Sequence, residues 1–352
     1  MPDVVSIGEA LIDFLSTERG VLIEDTAGFT IAPGGAPANV AAAVSRLGGS
    51  AGFIGKVGAD SFGSMIRNVL EEAGVNLELF RMDRNVNTTL AFISVKGNGE
   101  PDFTFYRNHC GADIALRQDE LDQGYLAESR VLHFGSLSFT HEPLRGTLRK
   151  AIELARGAGT LVSFDVNLRP SLWDDLDRAR SEIENGLELA DIVKLTDEEL
   201  EFVAGTSHLQ RGTNLLLKYG PRMVIVTRGA RSSYLNNGDL AFEVPPFPVE
   251  AVDTTGAGDA FVASVLVWCV ERLRSDQPVF AADLEELQRM MRFANDLARE
   301  LEASHPGQYR LTFRASGTTT PAPSPAMAEA LRVRCQEADD AVLVGEQFLV
   351  GD

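Results

Sequence analysis

Short apolar runs alternate with segments of helical periodicity along most of this 352-residue sequence. Each apolar run has the length of a buried strand, and the segment that follows repeats its apolar residues at helical spacing. This alternation indicates an α/β fold in which a parallel sheet is covered by helices on both faces. Strands are expected at residues 4–8, 51–57, 131–134, 160–165, 190–194 and 223–228, and helices at 38–47, 61–73, 143–157, from 197 onward and from 261 onward.

Two segments interrupt this alternation. Residues 17–32 and 88–108 alternate apolar and polar side chains around Gly20 and around Gly97-Asn98-Gly99, as β-hairpins do, and neither has a helix beside it. We therefore expect a small sheet that projects from the main body. Its outer strand would be exposed, unpaired and partly apolar. This favours a homodimer in which the small sheets of two copies cover each other's edges.

The charge balance argues against several classes of partner. With 51 acidic and 32 basic residues the formal net charge is −19, which disfavours nucleic acid and anionic membrane surfaces as the main partner. The 3 cysteines are odd in number and widely spaced, so they indicate neither a disulfide framework nor a zinc site. The sequence predicts no signal peptide and no membrane span, and a cytoplasmic location is expected.

A glycine-rich turn precedes an apolar run, residues 261–270, that is typical of a buried helix. The first N–H groups of a helix lack internal acceptors, and small residues such as Gly256, Ala257 and Gly258 let a phosphate approach them. Asp259 follows in the first turn, where a carboxylate can accept a proton from an attacking hydroxyl. An anion hole beside a base suits phosphoryl transfer to an alcohol. The alternative is an ordinary helix start, where Gly and Asp are common.

The run DTTGAGDAF, which begins at Asp253, resembles the C-terminal signature of the ribokinase-like (PfkB) carbohydrate kinases. Other motifs in the same order extend this resemblance over about residues 1–299. The resemblance implies a three-layer α/β/α ribokinase-like core with a small β-sheet lid from about residues 17–32 and 88–108. It also implies ATP and Mg²⁺, with the Gly256–Gly258 amides holding the transferring phosphate and Asp259 as the base.

The sugar would be held near the start of the chain. Asp13 follows the first strand, at the carboxyl edge where open α/β sheets bind ligands, although a solvated loop Asp is the alternative. Gly34 and Gly35 allow close approach of a backbone to a ligand, and Asn39 lies at a helix start, where it would bind a polyol or serve as a cap. This segment resembles the first signature of the same family.

The second hairpin carries the motif FTFYRN. Alternation places Tyr106 and Asn108 on one face and Phe105 and Arg107 on the other. We expect Tyr106 and Arg107 to contact the substrate, because the motif is similar to the lid of fructokinases and 2-keto-3-deoxygluconate kinases. The alternative is an exposed edge strand that carries a charge to prevent aggregation.

Phosphate and nucleotide contacts are expected after two further strands. Asn167 and Arg169 follow the strand at 160–165 and lie on one side by alternation, with Asn167 expected on the sugar and the Arg169 guanidinium on phosphate. A structural arginine near Asp174 is the alternative. The resemblance implies that the loop with Thr227 and Gly229 touches the nucleotide.

Cation sites follow from the resemblance. The family has an N-x-x-E motif that orders a magnesium-bound water, and Glu199 takes the place of its Glu, whereas Thr196 stands in place of its Asn. Magnesium is held mainly by water and phosphate oxygens in such sites. Asp253 and Thr255 are candidates for a monovalent cation, K⁺.

The combined expectation is a kinase domain over residues 1–304 followed by an atypical segment, 305–352, that is polar, partly loop and rich in Thr and Pro. The resemblance to fructokinases implies ATP-dependent phosphorylation of a primary hydroxyl, converting fructose to fructose 6-phosphate. Two alternatives stay open at this point. One is 2-keto-3-deoxygluconate kinase, and the other is a non-catalytic sugar-sensing relative, because a fold does not determine a function.

Overall fold

The computed structural model describes residues 1–96, 101–107, 111–245 and 256–302. Its strands are β1 (Val4–Ile7), β2 (Leu11–Gly20), β3 (Phe29–Gly34), β4 (Ala51–Gly58), β5 (Phe80–Asp83), β6 (Leu90–Lys96), β7 (Pro101–Tyr106), β8 (Val131–Gly135), β9 (Leu161–Asp165), β10 (Ile192–Thr196), β11 (Met223–Thr227), β12 (Ser233–Asn236) and β13 (Ala241–Val244). Its helices are α1 (Ala36–Arg46), α2 (Ser61–Glu72), α3 (Gln123–Ala127), α4 (Leu144–Gly157), α5 (Leu176–Leu189), α6 (Asp197–Ala204), α7 (Leu209–Leu216), α8 (Ala257–Arg274) and α9 (Leu284–Glu302).

The main sheet has nine strands in the order β13-β12-β11-β10-β9-β8-β1-β4-β5. The seven strands from β11 to β5 pair in parallel, and β12 and β13 extend the sheet as an antiparallel edge. Every strand expected from the apolar runs is present, so the predicted parallel sheet is confirmed. Because the parallel strands share one direction, their carboxyl ends form a single edge, where ligands bind in such folds.

Helices cover both faces of the main sheet and define two hydrophobic cores. Successive side chains of β1 point to opposite faces of the sheet, so Val4 packs into one core and Val5 into the other. The first core contains α1, α2, α8 and α9, and the second contains α3 to α7. This arrangement is the predicted three-layer α/β/α architecture.

The lid is a second sheet of four strands in the order β3-β2-β6-β7. Both predicted hairpins form it: β2 pairs antiparallel with β3, β6 pairs antiparallel with β7, and β2 joins the hairpins by parallel pairing with β6. One face carries Asp13, Ala91 and Phe105 in register, and the other carries Phe14 and Phe92. The lid therefore has two chemically different faces.

Several elements were not anticipated from the sequence. They are β5, the edge strands β12 and β13, and the helices α3, α5, α7 and α9. The expectation for residues 305–352 lies outside the described residues. Within the described part of the chain, no helix combines the length and the apolarity that crossing a membrane requires.

Candidate active site

The amino end of α8 lies against the carboxyl ends of β9 and β10. Gly256 caps the helix with φ 81° and ψ −8°, a left-handed conformation that glycine adopts without steric cost. It has no side chain to cap the first turn, and the N–H of Ala260 is bonded to the Gly256 carbonyl at 3.0 Å. Helix geometry gives the N–H groups of Ala257, Gly258 and Asp259 no acceptor within the helix, which suits an anion.

Asp259 accepts a hydrogen bond from the side chain of Asn39 on α1. The distance from Asn39 Nδ2 to Asp259 Oδ2 is 2.7 Å, and this contact joins residues 220 positions apart. Burial raises the pKa of Asp259 to about 6, against the opposing effects of the Asn39 hydrogen bond and the nearby Lys194 and Arg169 charges. A carboxylate with this pKa is ionised at neutral pH and is still a usable base. Asn39 Oδ1 is buried without a partner, so this oxygen can accept a hydrogen bond from a ligand.

Lys194 places a buried positive charge beside the helix start. Its Nζ lies 3.1 and 3.2 Å from the carboxylate oxygens of Asp165, and both side chains are under 10% exposed. Burial alone would lower the pKa of Lys194, but the carboxylates of Asp165, Glu199 and Asp259 outweigh it and raise that pKa. A Cβ built on Gly258 would lie 3.1 Å from Lys194 Nζ. The missing side chain of Gly258 therefore makes room for the ammonium group as well as for an anion.

Neither Lys194 nor Asp165 was among the site residues expected from the sequence. A signal for Lys194 was a lysine in the middle of a short, mainly apolar strand, Ile192–Thr196. His133 on β8 is a further buried group near this charge, and its Nδ1 lies 3.1 Å from Ser163 Oγ. Burial, with a smaller effect of Lys194, lowers the pKa of His133 to about 3, so its imidazole is neutral.

Glu199 connects two loops at the edge of the sheet. It forms a capping box with Thr196, in which Glu199 Oε2 accepts from the Thr196 N–H at 2.8 Å. Glu199 Oε1 accepts from the Leu168 N–H at 2.6 Å. Burial raises the pKa of Glu199, although Lys194 opposes this effect. The threonine that departs from the N-x-x-E pattern is thus a good helix cap, and Glu199 fixes the loop that leads to Arg169.

Arg169 and Asn167 follow β9 but not as the sequence analysis expected. The strand ends at Asp165, and Asn167 has φ 36°, in the left-handed region that asparagine tolerates better than most residues. The expected alternation of Asn167 and Arg169 on one side of a strand is therefore wrong. The Arg169 guanidinium lies 5.9 Å from the ring centroid of Phe103 on the lid, and its charge reaches Asp259.

Asp13 and the paired glycines lie close together where the lid meets α1. A Cβ on Gly34 would lie 2.1 Å from Asp13 Oδ2, so only glycine allows this approach. Gly35 has φ 105°, and a Cβ there would lie 2.5 Å from the Glu9 carbonyl oxygen. Both glycines are thus required by local geometry. Asp13 is 8% exposed and lies on the same lid face as Phe105. The Arg169 guanidinium approaches the lid from the core at Phe103.

The sequence and the fold of this chain are both similar to those of known carbohydrate kinases. The sequence matches the pfkB family carbohydrate kinases over residues 1–306. The chain belongs to the PfkB family. Probable fructokinase-2 of Arabidopsis thaliana is 44% identical over 293 residues, which cover 83% of this chain and 87% of that protein. Fructokinase-2 of Zea mays is 41% identical over 293 residues, which cover 83% of this chain and 86% of that protein.

Solved structures of related kinases have the same fold. Fructokinase from Xylella fastidiosa with bound ATP superposes with a TM-score of 0.80 at 30% identity, covering 95% of this chain and 99% of that one. A putative ribokinase II from E. coli in complex with ATP and Mg²⁺ gives a TM-score of 0.78 at 26% identity, covering 95% of this chain and 100% of that one. The expected ribokinase-like fold and the expected kinase family are both confirmed.

Tyr106 does not lie on the lid face that carries Asp13. Tyr106 is opposite Leu90, which is opposite Ile12, so all three share the face of Phe14. Its ring meets Phe92 edge to face at 5.4 Å, and the side chain is 61% exposed. The alternation of Phe105 and Tyr106 was predicted correctly, and it places Tyr106 on the lid face opposite to that of Asp13.

Arg107 is also placed differently from the expectation of a substrate contact. It is 3% exposed, and its Nε donates to Asp113 Oδ2 at 2.7 Å. Its other nitrogens donate to Thr140 Oγ1 at 2.7 Å and to the Leu137 carbonyl at 3.0 Å. The charge of Arg107 is therefore already compensated by a buried carboxylate.

The structure describes some, but not all, of the residues that were expected to bind the nucleotide or a cation. Thr227 ends β11 and pairs in register with Thr196 of β10, and Gly229 follows with φ 54°. The nearby Arg228 and Arg231 both bond Asp197, which reduces the positive charge they offer to phosphate. No group of three or more His, Cys, Asp or Glu side chains within the described residues could ligate a metal directly. The expectations for Asn108, Asp253 and Thr255 lie outside those residues.

Proposed function

We propose that this PfkB kinase transfers the terminal phosphoryl group of ATP to the primary hydroxyl of fructose, producing fructose 6-phosphate. The observation that carries the proposal is the contact of Asp259 with Asn39 at the uncapped start of α8. A carboxylate with a pKa of about 6, beside N–H groups that have no acceptor within the helix, supports the assignment of Asp259 as the base. The relatives named as fructokinases support the choice of sugar.

In this mechanism Asp259 accepts the proton of the attacking hydroxyl. The Asn39 hydrogen bond orients the carboxylate and favours its ionised form, because it is donated to the charged state. The unpartnered Asn39 Oδ1 and the carboxylate of Asp13 on the lid are placed to accept hydrogen bonds from other sugar hydroxyls. The sugar would thus be held between the core and the lid with its reactive oxygen at Asp259.

The phosphoryl group would face the start of α8. The N–H groups of Gly258 and its neighbours, the Lys194 ammonium and the Arg169 guanidinium supply positive charge there. These groups are fixed before the reaction, so they stabilise developing charge without reorganising. Mg²⁺, when bound with ATP, would neutralise phosphate charge, and Glu199 would hold one of its water molecules. Glu199 already fixes the Leu168 and Thr196 amides, so its carboxylate is rigid.

The pairing of Arg107 supports a neutral sugar over a carboxylated one. A sugar acid such as 2-keto-3-deoxygluconate would need an available cation at the lid, and Arg107 is paired with Asp113 and nearly fully buried. Fructose carries no charge and does not need such a partner. This difference makes the sugar acid the less suitable substrate.

Two finer parts of the proposal concern potassium and assembly. We propose K⁺ binding at Asp253 and Thr255 on family resemblance alone. A homodimer through the lid is supported by the outer face, where Phe14, Phe29, Phe92 and Tyr106 cluster and Ile31 is 47% exposed. Apolar area of this kind is favourable to bury between copies.

A substrate panel tests the proposal. Phosphate transfer from ATP should be measured with fructose, 2-keto-3-deoxygluconate, ribose, tagatose and adenosine, with and without Mg²⁺ and K⁺. The highest kcat/KM is expected for fructose, with a matching yield of fructose 6-phosphate. Preference for the sugar acid would contradict the role given to the Arg107–Asp113 pair. Fructose binding without transfer to any acceptor would instead indicate a non-catalytic sugar-binding relative.

A further inference from the structure

The four lid strands all join the core at one buried group of side chains. Glu9 lies just before β2, Thr89 just before β6 and Arg107 just after β7, and Ala36 follows the end of β3. Glu9, Thr89, Arg107 and their core partner Asp113 are each at most 3% exposed. We call these four polar residues the lid root.

We infer that the lid root is a positioning device for the kinase reaction: Arg107 and Asp113 fix the second lid hairpin to the core, and Glu9 fixes the start of the first lid strand to the helix that holds Asn39. The inference rests on the proposed function for its kinetic part. Its structural part, the attachment of the lid, stands without it.

Asp113 is the centre of the lid root. It lies in a single helical turn of the core, Asp113–Ala115, and is fully buried. Its Oδ2 accepts from Arg107 Nε at 2.7 Å, and its Oδ1 accepts from Thr89 Oγ1 at 2.5 Å. One carboxylate therefore binds the residue before β6 and the residue after β7. Since these strands form one hairpin, both ends of that hairpin are fixed by the same group.

Arg107 extends the attachment to a second part of the core. Its guanidinium also donates to Thr140 Oγ1 and to the Leu137 carbonyl, both in the segment after β8. Arginine has five N–H donors in a rigid planar arrangement, so contacts on several sides restrict its orientation strongly. Lysine could keep the charge but not this set of contacts.

Glu9 connects the lid root to α1. Its Oε1 accepts from the Ala36 N–H at 3.2 Å, in the first turn of the helix that carries Asn39. A negative charge is favourable at this end of a helix. Burial raises the pKa of Glu9 to about 7, and the Arg107 charge opposes that rise. Arg107, which is bonded to Asp113, lies close enough to Glu9 for its charge to act on that carboxyl group, and Glu9 in turn bonds the start of α1, whose Asn39 binds Asp259.

Removal of Arg107 or Asp113 would leave a buried charge without its partner and could prevent folding. The decisive variant is therefore Thr89→Val, which removes one hydroxyl and keeps the shape of the side chain. Its matched control is Thr213→Val, because Thr213 is also fully buried and its hydroxyl is also bonded, but it lies on α7 away from the lid. Thr89→Ser serves as the rescue, because it keeps the hydroxyl.

Hydrogen exchange should first be measured without sugar or nucleotide. We expect Thr89→Val to speed amide exchange in β6 and β7 about tenfold relative to wild type, with α4 and α8 unchanged. Thr89→Ser and Thr213→Val should leave the lid strands as in wild type. Unchanged lid exchange in Thr89→Val, or an equal increase along the whole chain, would overturn the inference. This result is independent of the identity of the substrate.

Kinetics then test the positioning role. In Thr89→Val we expect the KM for fructose to rise about tenfold while the KM for ATP stays within about twofold. A lower melting temperature with unchanged kinetic constants would reduce the lid root to a stability element and contradict its role in positioning. If wild type does not phosphorylate fructose, the proposed function fails, whereas the exchange result still decides the attachment of the lid.

Discussion

The contact between Asp259 and Asn39, which we call the base site, and the lid root use similar side chains in opposite ways. At the base site, Asp259 accepts a hydrogen bond from Asn39, and the side-chain oxygen of Asn39 is buried without a protein partner. In the lid root, both oxygens of Asp113 are bonded to protein donors, and Arg107 is bonded on several sides. A buried polar atom without a protein partner, such as Asn39 Oδ1, can bind a ligand, whereas the completed set of bonds around Asp113 and Arg107 fixes the architecture of the lid.

Replacement of the base should give the largest effect. Asp259→Asn keeps the shape of the side chain but cannot accept a proton, so kcat should fall about 10²–10⁴-fold. ATP affinity and the far-UV spectrum should stay as in wild type. Steady-state kinetics and calorimetry measure both quantities. A kcat within about threefold of wild type would remove Asp259 from its assigned role.

Gly258→Val tests whether the start of α8 binds a phosphate group of ATP. Its branched side chain would meet Lys194 Nζ and also stand where the phosphate approaches. ATP binding should therefore fall by about tenfold or more, while fructose binding persists. Isothermal titration calorimetry with ATP and with fructose measures the two affinities separately. Equal loss of both affinities in a folded variant would argue against a phosphate at this position.

The pH profile tests the contact between Asn39 and Asp259. Because the pKa of Asp259 is about 6 in the ligand-free protein, kcat/KM should decline below that pH as the base becomes protonated. The Asn39 donor lowers this pKa, so Asn39→Ala should raise it and move the acid limb toward higher pH. Profiles of wild type and variant from pH 5 to 9 would measure the displacement. An acid limb that stays in place or moves to lower pH would contradict the contact.

The smallest effect on catalysis is expected at Tyr106. This residue lies on the outer lid face, so Tyr106→Ser should change the KM for fructose less than about twofold. The same change should weaken dimerisation, which light scattering at micromolar concentration reports as a shift from twice the chain mass toward one. A large increase in the KM for fructose would place Tyr106 at the sugar of its own or a partner chain. A wild-type monomer with full activity would exclude the lid dimer.

The sequence predicted local features better than distant contacts. Gly256, Gly258 and Asp259 were recognisable because their chemistry depends on consecutive residues at one helix start. The Asn39–Asp259 bond joins positions 220 residues apart, and no periodicity indicates such a pair. Lys194 was overlooked because a lysine in an apolar strand has no local pattern that reveals its partner Asp165.

Alternation has two limits in this sequence. It separates Phe105 from Tyr106 but cannot tell which lid face carries Asp13, because both faces are rich in aromatic side chains. Alternation also fails once a strand has ended, as it does at Asp165 before the left-handed Asn167. The edge strands β12 and β13 were missed because, unlike β1 of the same length, they lack a mainly apolar run and carry polar residues such as Asn236 and Glu243.

The lid is built from two separate segments of the chain, and this limits how it can be redesigned. Its strands come from residues 11–34 and from residues 90–106, and the parallel pair of β2 and β6 joins them. Removal of either segment alone would expose the ladder groups of the strand left behind. The β2–β3 hairpin can instead be exchanged as one unit, with new sequence introduced at its tip near Leu22, which is 41% exposed. Grafting between related kinases should therefore proceed one hairpin at a time.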